Sequence, residues 1–89
     1  MSKVFIILQA NEEARPIIEA ILIDNPTAVV QESPAMVRVE AEGALTVNRS
    51  TIERITGEPF DIQQIHINLI SISGHIDEED DYLTVAWKN

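Results

Sequence analysis

Cysteine is absent from the 89 residues, which excludes a disulfide framework, a thiolate nucleophile and any zinc site built on cysteine. A chain without thiols suits a reducing compartment, so a cytoplasmic location is expected. Glycine is scarce: Gly43, Gly57 and Gly74 are the only three, too few and too scattered for a phosphate-cradling loop or a G-x-S-x-G elbow. No apolar run reaches the roughly 18 residues that would cross a bilayer. Met1-Ser2-Lys3 leads straight into a short strand-like segment, so neither a membrane span nor a signal peptide is expected. Basic residues are also few. Six of them against fifteen acidic ones give a net charge of −9, which would repel a phosphate backbone and speaks against nucleic acid as a partner. The same charge favours solubility and can steer the protein toward a basic patch on another protein.

The residues that carry chemistry do not converge. His66 and His75 stand apart with no cysteine and no further histidine, whereas a metal site needs three or four ligands. Asp77-Glu78-Glu79-Asp80-Asp81 lacks the central glycine and terminal bidentate glutamate of a calcium loop and reads as a solvated turn. Glu12-Glu13 sits where a helix begins, and complementarity to the helix dipole explains it without catalysis. No catalytic residue, metal or other cofactor is expected.

What the chain does contain is patterned. Ala35, Val37, Val39 and Ala41 alternate with Met36, Arg38, Glu40 and Glu42, the period of two that a sheet with one buried and one wet face demands. Ser33-Pro34 supplies a turn before this strand and Gly43 an exit after it. Ala28-Val29-Val30-Gln31 is placed to pair antiparallel beside it.

Upstream, Val4-Phe5-Ile6-Ile7-Leu8 is apolar throughout, as in a strand covered on both faces. Ala14, Ile17, Ile18, Ile21 and Leu22 give a helical stripe. Asn11 can cap that helix, but Pro16 then deletes an intrahelical bond, so the helix either begins near Arg15 or starts distorted. Asp24-Asn25-Pro26 ends it, with Asn25 able to adopt a left-handed cap.

Downstream, Ala44 to Val47 makes a strand, and Ser50-x-x-Glu53 has capping-box spacing for a second helix that Gly57 and Pro59 stop. Phe60 to Gln64 is a candidate extra turn capped by Asp61. Ile65, Ile67 and Leu69 alternate as in a strand, but Ile70 and Ile72 have the opposite parity. A bulge can swap the faces there, the strand can be buried on both sides, or both isoleucines can face outward. Gly74 and the acidic run form a loop, and Tyr82 to Trp87 returns as a strand with Leu83, Val85 and Trp87 on one side. Residues 1–89 thus form one α/β (α+β) domain of two strand-helix-strand-strand units, with helices packed on a mainly antiparallel sheet. Roughly two-thirds of the unfolded surface is buried at this size, enough for a core without staples.

Four stretches carry a resemblance: Asn11-Glu12-Glu13-Ala14-Arg15, Asp24-Asn25-Pro26, Glu32 to Gly43, and Asn68-Leu69-Ile70-Ser71-Ile72-Ser73-Gly74. In number and order they resemble the regulatory, or effector, proteins of bacterial multicomponent phenol hydroxylases, in the family that includes the methane and toluene monooxygenase effectors. The resemblance runs nearly end to end. It implies a cofactorless, non-catalytic protein that docks on a separate hydroxylase component over a carboxylate-bridged di-iron centre. Docking there would alter access for substrate, oxygen, protons and electrons, and couple NADH oxidation to aromatic hydroxylation. Methane monooxygenase relatives carry a long N-terminal extension; here the first strand begins by Val4, so no role of such a tail transfers.

Two places are expected to meet that partner. Met36 and Arg38 lie opposite Val37 and Val39, on the wet face of their strand. If Ile65, Ile67 and Leu69 point inward, Asn68, Ile70 and Ile72 point out, with Ser71 and Ser73 close by, and the resemblance points to the same segment. The alternative reading of the whole chain is a stand-alone small-molecule-binding regulatory domain, since strand-helix-strand-strand repeats also build such modules; an unpartnered hydrolase ranks behind both.

Overall fold

Val37, Val39 and Ala41 are buried while Met36 and Glu42 are exposed, so the strand Met36–Glu42 (β3) keeps the register its alternation dictates. The computed structural model describes residues 3–87; Met1 and Ser2, expected to lead into the first strand, lie outside the described residues. β3 pairs antiparallel with Val29–Glu32 (β2) on one side and Lys3–Gln9 (β1) on the other. The β2–β3 turn is closed by Ser33, whose amide N–H and Oγ both reach the carbonyl of Met36, at 2.9 and 3.1 Å. Gly43 leaves β3 with φ of +81°, a region that costs other residues a steric penalty.

Between β1 and β2 runs the helix Arg15–Asp24 (α1). Asn11 accepts the Ala14 N–H at 2.9 Å in a turn ahead of the helix, and α1 begins late enough that Pro16 falls in its first turn, where no N–H is needed. Ala14, Ile17, Ala20 and Ile21 are buried and Ile18 and Leu22 pack against the core. At the other end Asn25 is not left-handed: its φ is −130°. Its side chain caps instead, donating to the carbonyls of Ile21 (2.7 Å) and Thr46 (2.8 Å) and accepting the Thr46 N–H (3.1 Å). One amide thus ties α1 to the strand Ala44–Asn48 (β4).

The second helix, Arg49–Thr56 (α2), starts directly from β4 with Asn48 at its N-cap and no side-chain cap bond. The Ser50/Glu53 capping box does not form, because Ser50 already lies inside the helix. The Glu53 carboxylate instead accepts the Phe60 N–H at 2.8 Å. A capping box does form at Asp61 and Gln64, and it opens a 3₁₀ turn, Ile62–Gln64. That turn continues into a short helix, Ile65–Asn68 (α3), where a strand was expected. The decisive period is three: Ile62, Ile65 and Asn68 are all buried and Ile67 is 64% exposed.

Leu69–Ser73 (β5) follows and pairs with β1, not with its sequence neighbours. His75–Glu78 (β6), within the stretch expected to be a loop, pairs with Tyr82–Ala86 (β7), which also pairs with β4. Two antiparallel sheets result, ordered β2-β3-β1-β5 and β4-β7-β6. One strand therefore passes between the two repeat units, β5 crossing from the second unit to the edge of the first. Gly74 permits the crossing: its φ is +107°, and a Cβ there would lie 3.1 Å from the Ala86 carbonyl oxygen. Leu83 and Val85 are buried as expected, but Trp87 is not; it stays half-exposed and donates its indole N–H to the Lys3 carbonyl at 2.8 Å. The core is one cluster fed by both sheets and the helices.

Candidate partner-docking face

Pairing registers decide which side chains share a face. On the four-stranded sheet, Ser71 lies opposite Ile7, Ile7 opposite Arg38 and Arg38 opposite Gln31. The next row is Ser73, Phe5, Glu40 and Val29, and beyond the first row Gln9 faces Met36. Every residue of this set is exposed or partly exposed. Alternate residues Val4, Ile6 and Leu8 of β1 are fully buried on the other side, so β1 is not covered on both faces as its composition suggested. The structure thus brings Met36, Arg38, Ser71 and Ser73 onto one surface, joined by Phe5 and Ile7.

This surface is pre-ordered by its own contacts. The Arg38 guanidinium sits 4.0 Å from the centre of the Phe5 ring, an attraction worth about 0.5–1 kcal/mol at an accessible site. Its Nε donates to Glu40 Oε2 at 3.2 Å, and Lys3 Nζ approaches Glu40 Oε1 at 4.0 Å. Ser73 Oγ accepts the Phe5 N–H at 3.1 Å. Apolar Phe5, Ile7, Val29 and Met36 therefore surround an arginine held by an aromatic face and a carboxylate.

The remaining expected contact residues are placed differently. Asn68 is 4% exposed and faces inward: its Oδ1 accepts from Asn11 Nδ2 at 2.7 Å and its Nδ2 donates to Glu13 Oε1 at 3.0 Å. It sits at the end of a helix, so strand parity never applied to it. The β1–β5 register passes from Leu8 opposite Leu69 to Ile7 opposite Ser71. Ile70 is the extra residue, a bulge, and stays 46% exposed at the sheet edge. Ile72, opposite Ile6, packs against the core. The bulge thus separates the two isoleucines that parity had put side by side. Phe5, Ile7 and the exposed Ile67 were missed; the period of two in β3, carried across the pairing to β1, was the signal for the first two.

Among the described residues no three of histidine, aspartate and glutamate are grouped as a metal site. His66 Nε2 lies 2.6 Å from Glu78 Oε1, linking α3 to β6. The phenol of Tyr82 is pushed above its usual pKa of 10.0, chiefly by Asp77, then by desolvation, Glu79 and Asp81.

A family model described as the MmoB/DmpM family matches residues 2–86. This chain belongs to the MmoB/DmpM family. Within it, the chain is 47% identical over 88 residues to the stimulatory component DmpM of phenol 2-monooxygenase from Pseudomonas sp. (strain CF600), covering 99% of this chain and 98% of that protein. Among solved structures, it matches a chain from a phenol hydroxylase–regulatory protein complex with a TM-score of 0.94 and 44% identity, covering 98% of this chain and 100% of that one. Regulatory protein B of soluble methane monooxygenase shares the fold, with a TM-score of 0.74, 22% identity and coverage of 97% of this chain and 65% of that one.

Proposed function

We infer that this chain is the regulatory component of a phenol hydroxylase-type multicomponent monooxygenase and acts by binding the hydroxylase component. The observation that carries this reading is full-length similarity, 47% identical, to a phenol 2-monooxygenase stimulatory component. The protein contributes no catalytic group. Its effect on the di-iron centre of the hydroxylase comes from binding one state of that partner more tightly than another, which shifts the population toward the state it prefers. Substrate and oxygen access change with that shift, and NADH oxidation becomes coupled to hydroxylation. The protein acts in the cytoplasm.

The surface that makes the contact is the outer face of the four-stranded sheet, with Met36, Arg38, Ser71 and Ser73 around Phe5 and Ile7 and with Ile70 at its edge. Full burial of an isoleucine or phenylalanine is worth roughly 1.5–3 kcal/mol, so half-exposed apolar side chains grouped on one sheet face are best explained by a second surface that covers them. Asn68 and Ile72 serve that face from behind, fixing the start and the register of β5.

Reconstitution tests the reading. Adding the protein to hydroxylase and reductase is expected to raise phenol turnover saturably and to increase product formed per NADH consumed. A rate and a coupling ratio unchanged at every concentration would overturn it.

A further inference from the structure

A cleft of about 260 Å³ opens between the start of α1, the segment after α2, and α3. None of its lining residues belongs to the four-stranded sheet, so it is separate from the docking face. Its volume falls just below the roughly 300–1,000 Å³ typical of small-molecule sites, which suits one long side chain. Its walls are apolar at Pro16, Ile17, Ile52, Phe60 and Ile67, with Thr56, Gln64 and Asn68 among them. Among the described residues Ile67 is the most exposed of the large apolar side chains, at 64%. Glu12, Glu13 and Glu58 also line it, with no lysine or arginine. Among the described residues none of these three carboxylates is in an ion pair.

We propose that this cleft receives an arginine side chain presented by the hydroxylase component, an inference that rests on the function proposed above. An apolar wall with a carboxylate rim matches a side chain whose stem is apolar and whose head is cationic. Arginine fits better than lysine for two reasons. Its planar head can lie against the Phe60 ring, and its fork of donors can serve more than one carboxylate in charge-assisted hydrogen bonds. Glu13 already accepts from the buried Asn68 amide and has acceptor capacity left. Filling the cleft therefore also bears on the residue immediately before β5.

Two measurements on the full chain test this. In an NMR titration, n-butylguanidinium is expected to shift the backbone amide signals of Phe60 and Ile67 saturably, with n-butylurea inert at the same concentration. Equal shifts with both probes, or none with either, overturn the proposal. In hydroxylase binding, the double variant Glu12→Gln/Glu58→Gln is expected to raise Kd about tenfold at low salt and to flatten its salt dependence. Glu13 is left intact because it holds Asn68. The control Glu19→Gln/Glu79→Gln removes equal charge outside both the cleft and the four-stranded sheet and is expected to leave Kd within about twofold. Equal weakening by the two double variants assigns the effect to long-range steering and overturns the cleft. Binding that survives Glu12→Gln/Glu58→Gln unchanged overturns the cleft alone. An unsubstituted chain that fails to bind the hydroxylase overturns the proposed function, and the occupant falls with it.

Discussion

Asn68 and Arg38 separate a structural role from a proposed recognition role at the level of single residues. Asn68 is buried and both ends of its amide are satisfied, by Asn11 and Glu13. Truncation to alanine removes two hydrogen bonds from a buried side chain, each worth roughly 0.5–1.5 kcal/mol, so Asn68→Ala is expected to destabilise the fold by about 1–3 kcal/mol in urea denaturation. Arg38 is half-exposed and its links to Phe5 and Glu40 are surface interactions. Arg38→Ala is expected to cost no more than about 1 kcal/mol of stability while weakening hydroxylase binding, measured by titration of the stimulated rate. A variant that unfolds would make Arg38 a structural residue. Of these two residues, the wet side chain of Arg38 was legible in the alternation of β3. Asn68 was not, because a one-turn helix between a capping box and a strand has too few residues to display a period.

Among the elements, β5 decides most. Its bulge at Ile70 turns Ile72 toward Ile6 and leaves Ile70 at the edge. Ile72→Ser places a hydroxyl against the core and is expected to cost about 1–3 kcal/mol, seen as a lower midpoint in thermal unfolding. Ile70→Ser is expected to leave that midpoint nearly unchanged and to reduce stimulation of phenol turnover. The reverse pattern would mean that the strand is in another register in solution. The turn between β6 and β7 carries its own prediction. Asp77 and the acidic residues beside it disfavour tyrosinate at position 82, so the phenol should titrate above its usual value in ultraviolet absorbance, and salt should reduce the shift. Above the unfolded-state pKa the unfolded chain releases the proton first. Stability from this group is therefore complete below about pH 10 and falls as pH rises through the higher folded value.

For the whole molecule, the net charge of −9 suits encounter with a basic surface, and membership of the MmoB/DmpM family supports the proposed docking on a hydroxylase. It also decides against the stand-alone sensor reading. A protein that works by differential binding needs no chromophore, so the purified protein is expected to show only the absorbance of Trp87 and its tyrosine, without iron or flavin bands. Stoichiometric iron retained after dialysis would contradict the proposed role.

The sequence by itself determined the elements whose pattern is long enough to be unambiguous: β3 through its alternation, α1 through its stripe, and the turns at Ser33-Pro34 and Gly43. Local chemistry also placed the Asp61 cap. Tertiary structure alone decided that β5 leaves its own repeat to pair with β1, that β1 has one wet face, and that the acidic stretch contains a strand. These facts depend on which distant strand supplies the hydrogen bonds, and that choice is made by the shared core. The proposed docking face follows the same division. Met36 and Arg38 could be read from one strand, but their meeting with Ser71, Ser73, Phe5 and Ile7 exists only once β1 lies between β3 and β5.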